Sequence, residues 1–169
     1  MAVLIDGNNL LFAAHDADPE RPVGRVKLCE LLGRWGVRVG QRIAVVFDGP
    51  APGGGLVEQI GSEQVEVAFS GAGVAADTVI AERIENDSGA RHLVVVSTDR
   101  EIAKVARRRR AMPMRSDEFW RCVQEDLARP TGAALEPIEK RRGLSPGEAD
   151  DWVKRMGLED VRGADEPHS

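Results

Sequence analysis

The fold is decided by one stretch near the amino terminus, Val3-Leu4-Ile5-Asp6-Gly7-Asn8-Asn9-Leu10. A short apolar run ends there in a carboxylate, and turn-forming residues follow at once. Apolar runs of this length that are bounded by turn residues are typical of buried strands in a parallel sheet. Asp6 would then stand at the carboxyl end of a strand, which is where open α/β sheets bind their ligands.

Segments typical of strands and of helices alternate along the chain. Further strands are predicted at 42–48, 65–69, 92–97 and, weakly because Pro113 cannot donate to a ladder, at 111–114. Apolar residues that recur every three or four positions predict amphipathic helices at 23–35, 75–84, 101–109 and 116–127. Gly36 is expected to end the first of these, and an earlier helix is expected to begin near Asn9. This alternation predicts an α/β fold whose mostly parallel sheet is covered by helices on both faces.

The composition changes after Ala128. We expect one domain over residues 1–128, and an extension over 129–169 made of a linker, a short amphipathic helix at about 145–157 and a disordered tail. The capping box Ser145-Pro146-Gly147-Glu148 and the following Trp152 indicate this helix. Packing on the domain and binding to a partner both remain open for it.

Composition limits the classes of function. The net charge of −5 gives no overall basic surplus, so any contact with nucleic acid must depend on local patches. Cys29 and Cys122 lie in no motif, which favours a reducing compartment. No apolar stretch approaches the roughly 20 residues of a membrane span, and no export signal is visible. We therefore expect a cytoplasmic protein that does not bind a membrane.

Carboxylates recur at positions comparable to that of Asp6. Asp77 opens a predicted helix, while Asp48 and Asp99 each follow a buried strand. The ends of parallel strands meet at one edge of a sheet, and clustered carboxylates repel one another unless a cation lies between them. Mg²⁺ and Mn²⁺ prefer such oxygen ligands. Because the three histidines lie in no ligand spacing, a zinc site or a Ser–His–Asp triad is not indicated.

Each acid also has a purely structural explanation. Asp6 could cap the turn at Gly7, and Asp77 could be favoured by the dipole of its helix. The segment Thr98-Asp99-Arg100-Glu101 reads as a capping box in which Asp99 is only a first-turn acid. The joint pattern, rather than any one residue, favours a metal site.

The four acidic motifs together resemble a known family. Ile5-Asp6-Gly7-Asn8-Asn9-Leu10, Val46-Phe47-Asp48, Ala76-Asp77 and Ser97-Thr98-Asp99-Arg100 resemble the successive motifs of the NYN domain family, in its YacP-like branch, among the PIN-like nucleases. The resemblance covers about residues 2–128, and the segment from Leu144 to Gly157 resembles the carboxyl-terminal helix of that branch.

Several expectations follow from this resemblance alone. It implies a three-layer α/β/α fold, Mg²⁺ or Mn²⁺, and endoribonuclease activity, in one branch on mRNA in association with ribosomes. It also implies that Asp6, Asp77 and Asp99 are the metal-site acids and that Asn9 is the motif asparagine. Asn8 stands where relatives often carry Tyr, and Thr78 where many carry a second acid. The choice between one metal and two, and the strength of the activity, therefore stay open.

A basic run follows Asp99 by two to three helical turns. These cations could track RNA phosphates beside the acids, or could simply be solvated charges at the end of a helix. The candidate RNA-binding residues are Arg100, Lys104, Arg107, Arg108, Arg109 and Arg110. Base-stacking platforms are not evident, because aromatic residues make up only 4% of the chain.

The sequence thus predicts a metal-dependent endoribonuclease. Asp6, Asp77 and Asp99 hold the ion, with Asn9, Asp48 and Ser97 as supporting polar groups among the candidate catalytic residues. Two rivals remain. One is a catalytically weak module that binds RNA or ribosomes, and the other is a dinucleotide-binding protein that uses Gly71, Gly73 and Ala76 as a G-x-G-x-x-A motif.

Overall fold

The computed structural model describes residues 2–53 and 61–130, together with the single positions 132, 135 and 138. The chain divides into two units, Met1–Ala133 and Ala134–Ser169, and the elements below belong to the first. The helix expected at 145–157 and the tail after it lie outside the described residues.

Five parallel strands form one sheet in the order β3-β2-β1-β4-β5. The strands are β1 (Ala2–Asp6), β2 (Arg42–Phe47), β3 (Val65–Phe69), β4 (Leu93–Val96) and β5 (Met112–Met114). The helices are α1 (Gly7–Ala17), α2 (Arg25–Val39), α3 (Ala76–Asn86), α4 (Arg100–Arg108) and α5 (Ser116–Ala128), with a short 3-10 turn at Ala90–His92. As expected, the strand with Pro113 lies at a border of the sheet.

The sheet is the middle of three layers. Helices α1, α2 and α5 pack together on one face, and α3 and α4 pack on the other. Successive residues of β1 point to opposite faces, so that Leu4 joins the core beneath α3 and α4, while Val3 and Ile5 face the other three helices. The expected three-layer α/β/α architecture is therefore confirmed, with a sheet that is parallel throughout its five strands. None of the helices in the described ranges is both long and apolar enough to cross a membrane.

The first helix begins earlier than predicted, at Gly7 rather than near Asn9. Asp6 is its N-cap, and the Asp6 side chain accepts a hydrogen bond of 3.0 Å from the backbone N–H of Asn9. An N-cap carboxylate satisfies an amide that the first turn leaves without a partner. Strand and helix therefore join with no intervening turn, and both asparagines are helical.

Gly36 does not end α2, contrary to the prediction. The helix continues to Val39 and ends at Gly40, whose φ of 67° gives the left-handed conformation common at helix ends. Gly36 is buried inside the helix, where an added Cβ would lie 2.9 Å from the carbonyl oxygen of Gln41. Gly36 is therefore needed because the backbone of Gln41 approaches it closely, and not because the helix ends there.

Candidate metal-binding site

Four aspartates lie where the strands of the sheet end. Asp6 is the last residue of β1, Asp48 directly follows β2, and Asp99 lies just beyond β4 as the N-cap of α4. Asp77 is in the first turn of α3, the helix that follows β3. We call these four residues the acidic rim. Since the chain leaves β1 towards β2 and later returns on its other side as β4, the rim surrounds the switch point of the sheet, where α/β proteins bind ligands.

Asp6 is the buried centre of the rim, with 2% of its surface exposed. One of its carboxylate oxygens accepts from the backbone of Asn9, and the other accepts from the Asn9 side chain. The same second oxygen accepts from the Ser97 hydroxyl at 3.3 Å. Ser97 in turn accepts from the backbone N–H of Asp99 at 3.1 Å. Asn9 and Ser97, both predicted as supporting groups, thus lie in contact with Asp6.

Asp48 holds the start of α3 at the rim through a hydrogen bond. One of its oxygens accepts from the backbone N–H of Ala76 at 2.6 Å, and the other accepts from the Asn8 side chain at 2.9 Å. The side-chain oxygen of Asn8 is buried and has no hydrogen-bond partner within the described ranges. Asp48 therefore caps a helix from a distant part of the chain and places Asp77, the next residue of that helix, beside the other acids.

The carboxylates of the rim influence one another electrostatically. Burial raises the pKa of Asp77, and the negative charges of the other three rim carboxylates raise it further. Burial also raises the pKa of Asp6. The hydrogen bonds that Asp6 accepts from Asn9 and Ser97 lower its pKa in part, and the negative charge of Asp48 raises it slightly further. In the part of the chain that the structure describes, Asp77 has no hydrogen bond or ion pair. The rim is thus a concentration of negative charge, and none of its four carboxylates forms an ion pair with a cationic side chain in the described ranges.

The rim suits a hard divalent cation in charge and in donor type, since it offers carboxylate oxygens and the unpartnered oxygen of Asn8. However, no group of three or more acidic, histidine or cysteine side chains among residues 2–53 and 61–130 is already arranged as a metal cluster. In Asp6, Asp48 and Asp99, one carboxylate oxygen accepts a hydrogen bond from a backbone N–H group at the start of a helix. These oxygens therefore face backbone amides rather than a common cation position. Mg²⁺ commonly needs only one or two carboxylates, with waters and substrate phosphates as its other ligands.

The capping at Asp99 differs from the predicted box. Asp99, not Thr98, is the N-cap of α4, and it accepts from the backbone N–H groups of Glu101 and Ile102 at 2.6 and 3.2 Å. The Thr98 hydroxyl instead donates to the side-chain oxygen of Asn9. Sequence reasoning missed this contact between α1 and the end of β4, because residues so distant in the chain give no local signal.

Gly7 is another residue of the site whose role the sequence did not reveal. An added Cβ would lie 2.5 Å from two ring carbons of Phe47 and 2.9 Å from a methyl group of Val45. Only glycine therefore lets α1 start so close to β2, and this approach brings Asn8 within reach of Asp48. The sequence does carry a signal, a glycine directly after the first acid, but that glycine is the first residue of α1 rather than part of the expected turn.

The predicted RNA-binding cations do not form one group beside the rim. Arg100 opens α4 next to Asp99, and Lys104 is exposed one turn further along, where it pairs with Glu101. The remaining arginines lie at the opposite end of α4, away from the acids. There Arg108 pairs with Glu85, Arg109 donates to the carbonyl of Asp87, and Arg110 has a φ of 60° just past the end of the helix, with Arg107 exposed beside them. The expectation that the whole run flanks the acidic edge is not supported.

The dinucleotide-binding alternative finds little support. Gly71 and Gly73 have positive φ values and lie between β3 and α3, as the motif requires. However, the first amide of α3 already binds Asp48, and Asp77 adds a second negative charge where a pyrophosphate would lie. The motif also follows the outermost strand of the sheet rather than its centre.

Comparisons with known proteins point to one family. A family model described as the YacP-like NYN domain matches residues 3–156. Among solved structures, Rae1 (YacP) from Bacillus subtilis is 22% identical with a TM-score of 0.60, covering 94% of this chain and 89% of that one. A tryptophan-to-leucine mutant of the same protein is 19% identical with a TM-score of 0.56, covering 95% and 86%. The comparison with curated proteins gave no match. Since the family model spans most of the chain, the protein belongs to the YacP-like NYN family and shares its PIN-like nuclease fold.

Proposed function

We propose that this protein is an endoribonuclease that depends on Mg²⁺ or Mn²⁺. The observation that carries the proposal is the gathering of four carboxylates in the acidic rim, where burial and then mutual repulsion raise the pKa of Asp77. No cationic side chain in the described ranges forms an ion pair with any of the four. A fold keeps such repulsion when binding a cation compensates for it. Membership in a family with a nuclease fold supports the same conclusion.

Asp6, Asp77 and Asp99 are the residues that would hold the ion, with Asp48 and Asn8 beside them. A bound Mg²⁺ or Mn²⁺ would lower the pKa of a water molecule and offset the charge that develops on the phosphate. We propose that the products carry 5′-phosphate and 3′-hydroxyl ends, as expected when water attacks in line with the leaving oxygen.

The other side chains of the site have positioning roles in this proposal. Asn9 and Ser97 fix both oxygens of Asp6, and Ser97 also links Asp6 to the backbone of Asp99. Fixed carboxylates lose less freedom when the ion and the RNA bind, which favours the reacting arrangement. Asp48 contributes by holding the start of α3, and with it Asp77, at the rim.

The test uses separate Asp→Asn substitutions at positions 6, 77 and 99. Each should abolish Mn²⁺-dependent cleavage of a labelled RNA while binding of that RNA, measured in EDTA, is retained. Asp16→Asn is the matched control, because Asp16 is an exposed acid near the other end of α1. Cleavage that survives in all three rim variants would refute the proposed site.

A module that binds RNA without cutting it remains the second candidate. It is favoured by the capping roles of Asp6, Asp48 and Asp99, which give each of these acids a structural function. Retained RNA binding with no cleavage in either metal would select this candidate over the nuclease.

We extend the proposal to mRNA as substrate, to association with ribosomes and to the cytoplasm as the place of action. The likeness of the motifs to the YacP-like branch supports this extension. Co-sedimentation of the full chain with ribosomes in a sucrose gradient, and mapping of cleavage sites in bound mRNA, would test it.

A further inference from the structure

Arg25, in the first turn of α2, lies at the same end of the sheet as the acidic rim. Its guanidinium carbon is 5.2 Å from the ring centre of Phe47 and 5.8 Å from that of Phe69. Phe47 is fully buried, ends β2 and precedes Asp48, while Phe69 ends the neighbouring strand β3. The two aromatic rings, themselves 5.7 Å apart, therefore hold an exposed cation at the edge of the sheet that carries the acids.

The charge of Arg25 has no acidic partner in the described ranges, where it makes neither a hydrogen bond nor an ion pair. Several cations elsewhere on the surface do have one, as Arg83 does with Glu66 and Arg108 with Glu85. The guanidinium carbon of Arg25 lies over both rings, and its N–H groups donate to no protein group in the described ranges, so they are available to a ligand. A planar guanidinium held in this way can donate two parallel hydrogen bonds to a phosphate.

We propose that Arg25 binds a backbone phosphate of RNA beside the acidic rim, on the side of β2 and β3. This inference rests on the proposed function, because it assigns the RNA a path past the acids. The contact offsets negative charge on the RNA at the point where the rim would otherwise repel it. A phosphate contact fixes the position of the RNA strand and does not read its sequence.

A purely structural role predicts a different behaviour. If Arg25 served only to cover the two rings, an apolar side chain of similar length would replace it without loss of function. Arg25→Leu retains such a cover and removes the charge, whereas Arg25→Lys retains the charge and removes the flat guanidinium. Arg34→Leu is the matched control, because Arg34 is an exposed arginine further along the same helix with no partner in the described ranges.

The measurement is binding of a fluorescently labelled single-stranded RNA to the full chain in EDTA, by anisotropy, over a series of salt concentrations. Arg25→Leu should weaken binding by about tenfold, as expected for the loss of a charge-assisted hydrogen bond. It should also reduce the salt slope by about 0.7, which corresponds to one phosphate contact on a single strand. Arg25→Lys, which keeps the charge but cannot donate two parallel hydrogen bonds, should lose less affinity than Arg25→Leu and keep the wild-type salt slope, and Arg34→Leu should match the wild type.

Unchanged affinity and salt slope in Arg25→Leu would overturn the proposal, as would an equal loss in Arg34→Leu. If Arg25→Leu fails to fold, Arg25→Gln removes the charge and decides by the same criteria. Weaker binding in Arg25→Leu, with a wild type that does not cleave, would keep this contact and refute the nuclease. Normal binding in Arg25→Leu, together with cleavage that depends on Asp6, would refute the Arg25 contact and keep the nuclease.

Discussion

Gly7→Ala tests whether the site depends on the close approach of α1 to β2. The added Cβ would lie 2.5 Å from Phe47 Cδ1 and Cε1 and 2.9 Å from Val45 Cγ1, closer than real contacts allow. Because the Phe47 ring is fully buried, it cannot swing aside into solvent. Such overpacking costs about 3 kcal/mol at the upper end of its usual range, and the better helix propensity of alanine returns at most about 1 kcal/mol.

The net loss of about 2 kcal/mol should lower the melting temperature by about 4–8 °C in a protein of this size. Circular dichroism and urea unfolding measure this change. Gly33→Ala is the matched control, since its added Cβ would have its nearest contact at 3.4 Å, with the Ser62 hydroxyl. The control should leave the stability unchanged or raise it by up to about 1 kcal/mol. Cleavage by Gly7→Ala should fall even at temperatures where the variant is folded. A shift at Gly7 also moves the next residue, Asn8, whose side chain donates to Asp48 at the rim.

A second substitution examines the cause of the effect. Phe47→Leu makes room for the added methyl group, so it should cost less in the Gly7→Ala background than in the wild type, as a double-mutant cycle would show. A Gly7→Ala protein as stable as Gly33→Ala would refute the reasoning, and with it the claim that this contact sets the position of α1.

Further predictions concern charge, backbone conformation and thiol reactivity. Asp48→Asn should reduce cleavage and lower the pKa of Asp77, because it removes one of the repelling charges and sets an amide against Asn8; NMR titration of the side chain would show the shift. Since the pKa of Asp77 is raised in the folded state, its stabilising contribution is present below the unfolded value of 3.8 and is lost as pH rises through the folded value. In EDTA, the free energy of unfolding of the wild type should therefore fall relative to that of Asp77→Asn as the pH rises from 3.8 through the folded pKa of Asp77. A difference between the two proteins that does not change with pH would contradict this prediction. Arg110→Gly should raise stability by about 1 kcal/mol, because glycine adopts a φ of 60° without strain. Burial raises the pKa of Cys29 to about 12, so a thiol reagent at mildly alkaline pH should label it only after unfolding.

The order of strands and helices was readable from the sequence because it depends on local patterns. The continuous apolar runs of β1, β2 and β4 belong to strands that are buried on both faces, and the spacing of three and four residues marked the helices. Errors occurred at glycines. Gly7 and Gly36 were interpreted as turn and stop signals, although each is required for tight packing between elements.

The candidate site was only partly predictable. An acid after a buried strand can be recognised in the sequence, and the parallel arrangement then requires Asp6, Asp48 and Asp99 to share one edge. The partners of these acids could not be recognised, because the contacts from Asn8 to Asp48 and from Thr98 to Asn9 join residues far apart in the chain. The position of the arginine run could have been inferred, because a helix that starts beside Asp99 and returns to the next parallel strand carries its last residues to the opposite edge of the sheet.

By itself, the sequence determined that this protein is a parallel α/β domain with acids at its strand ends, because hydrophobic periodicity and short motifs act over a few neighbouring residues. The tertiary structure alone decided that Asp48 caps α3 and that Arg25 lies over two phenylalanine rings at the edge of the sheet that carries the acids. Such contacts depend on how elements pack across the sheet, and no local pattern of residues encodes them.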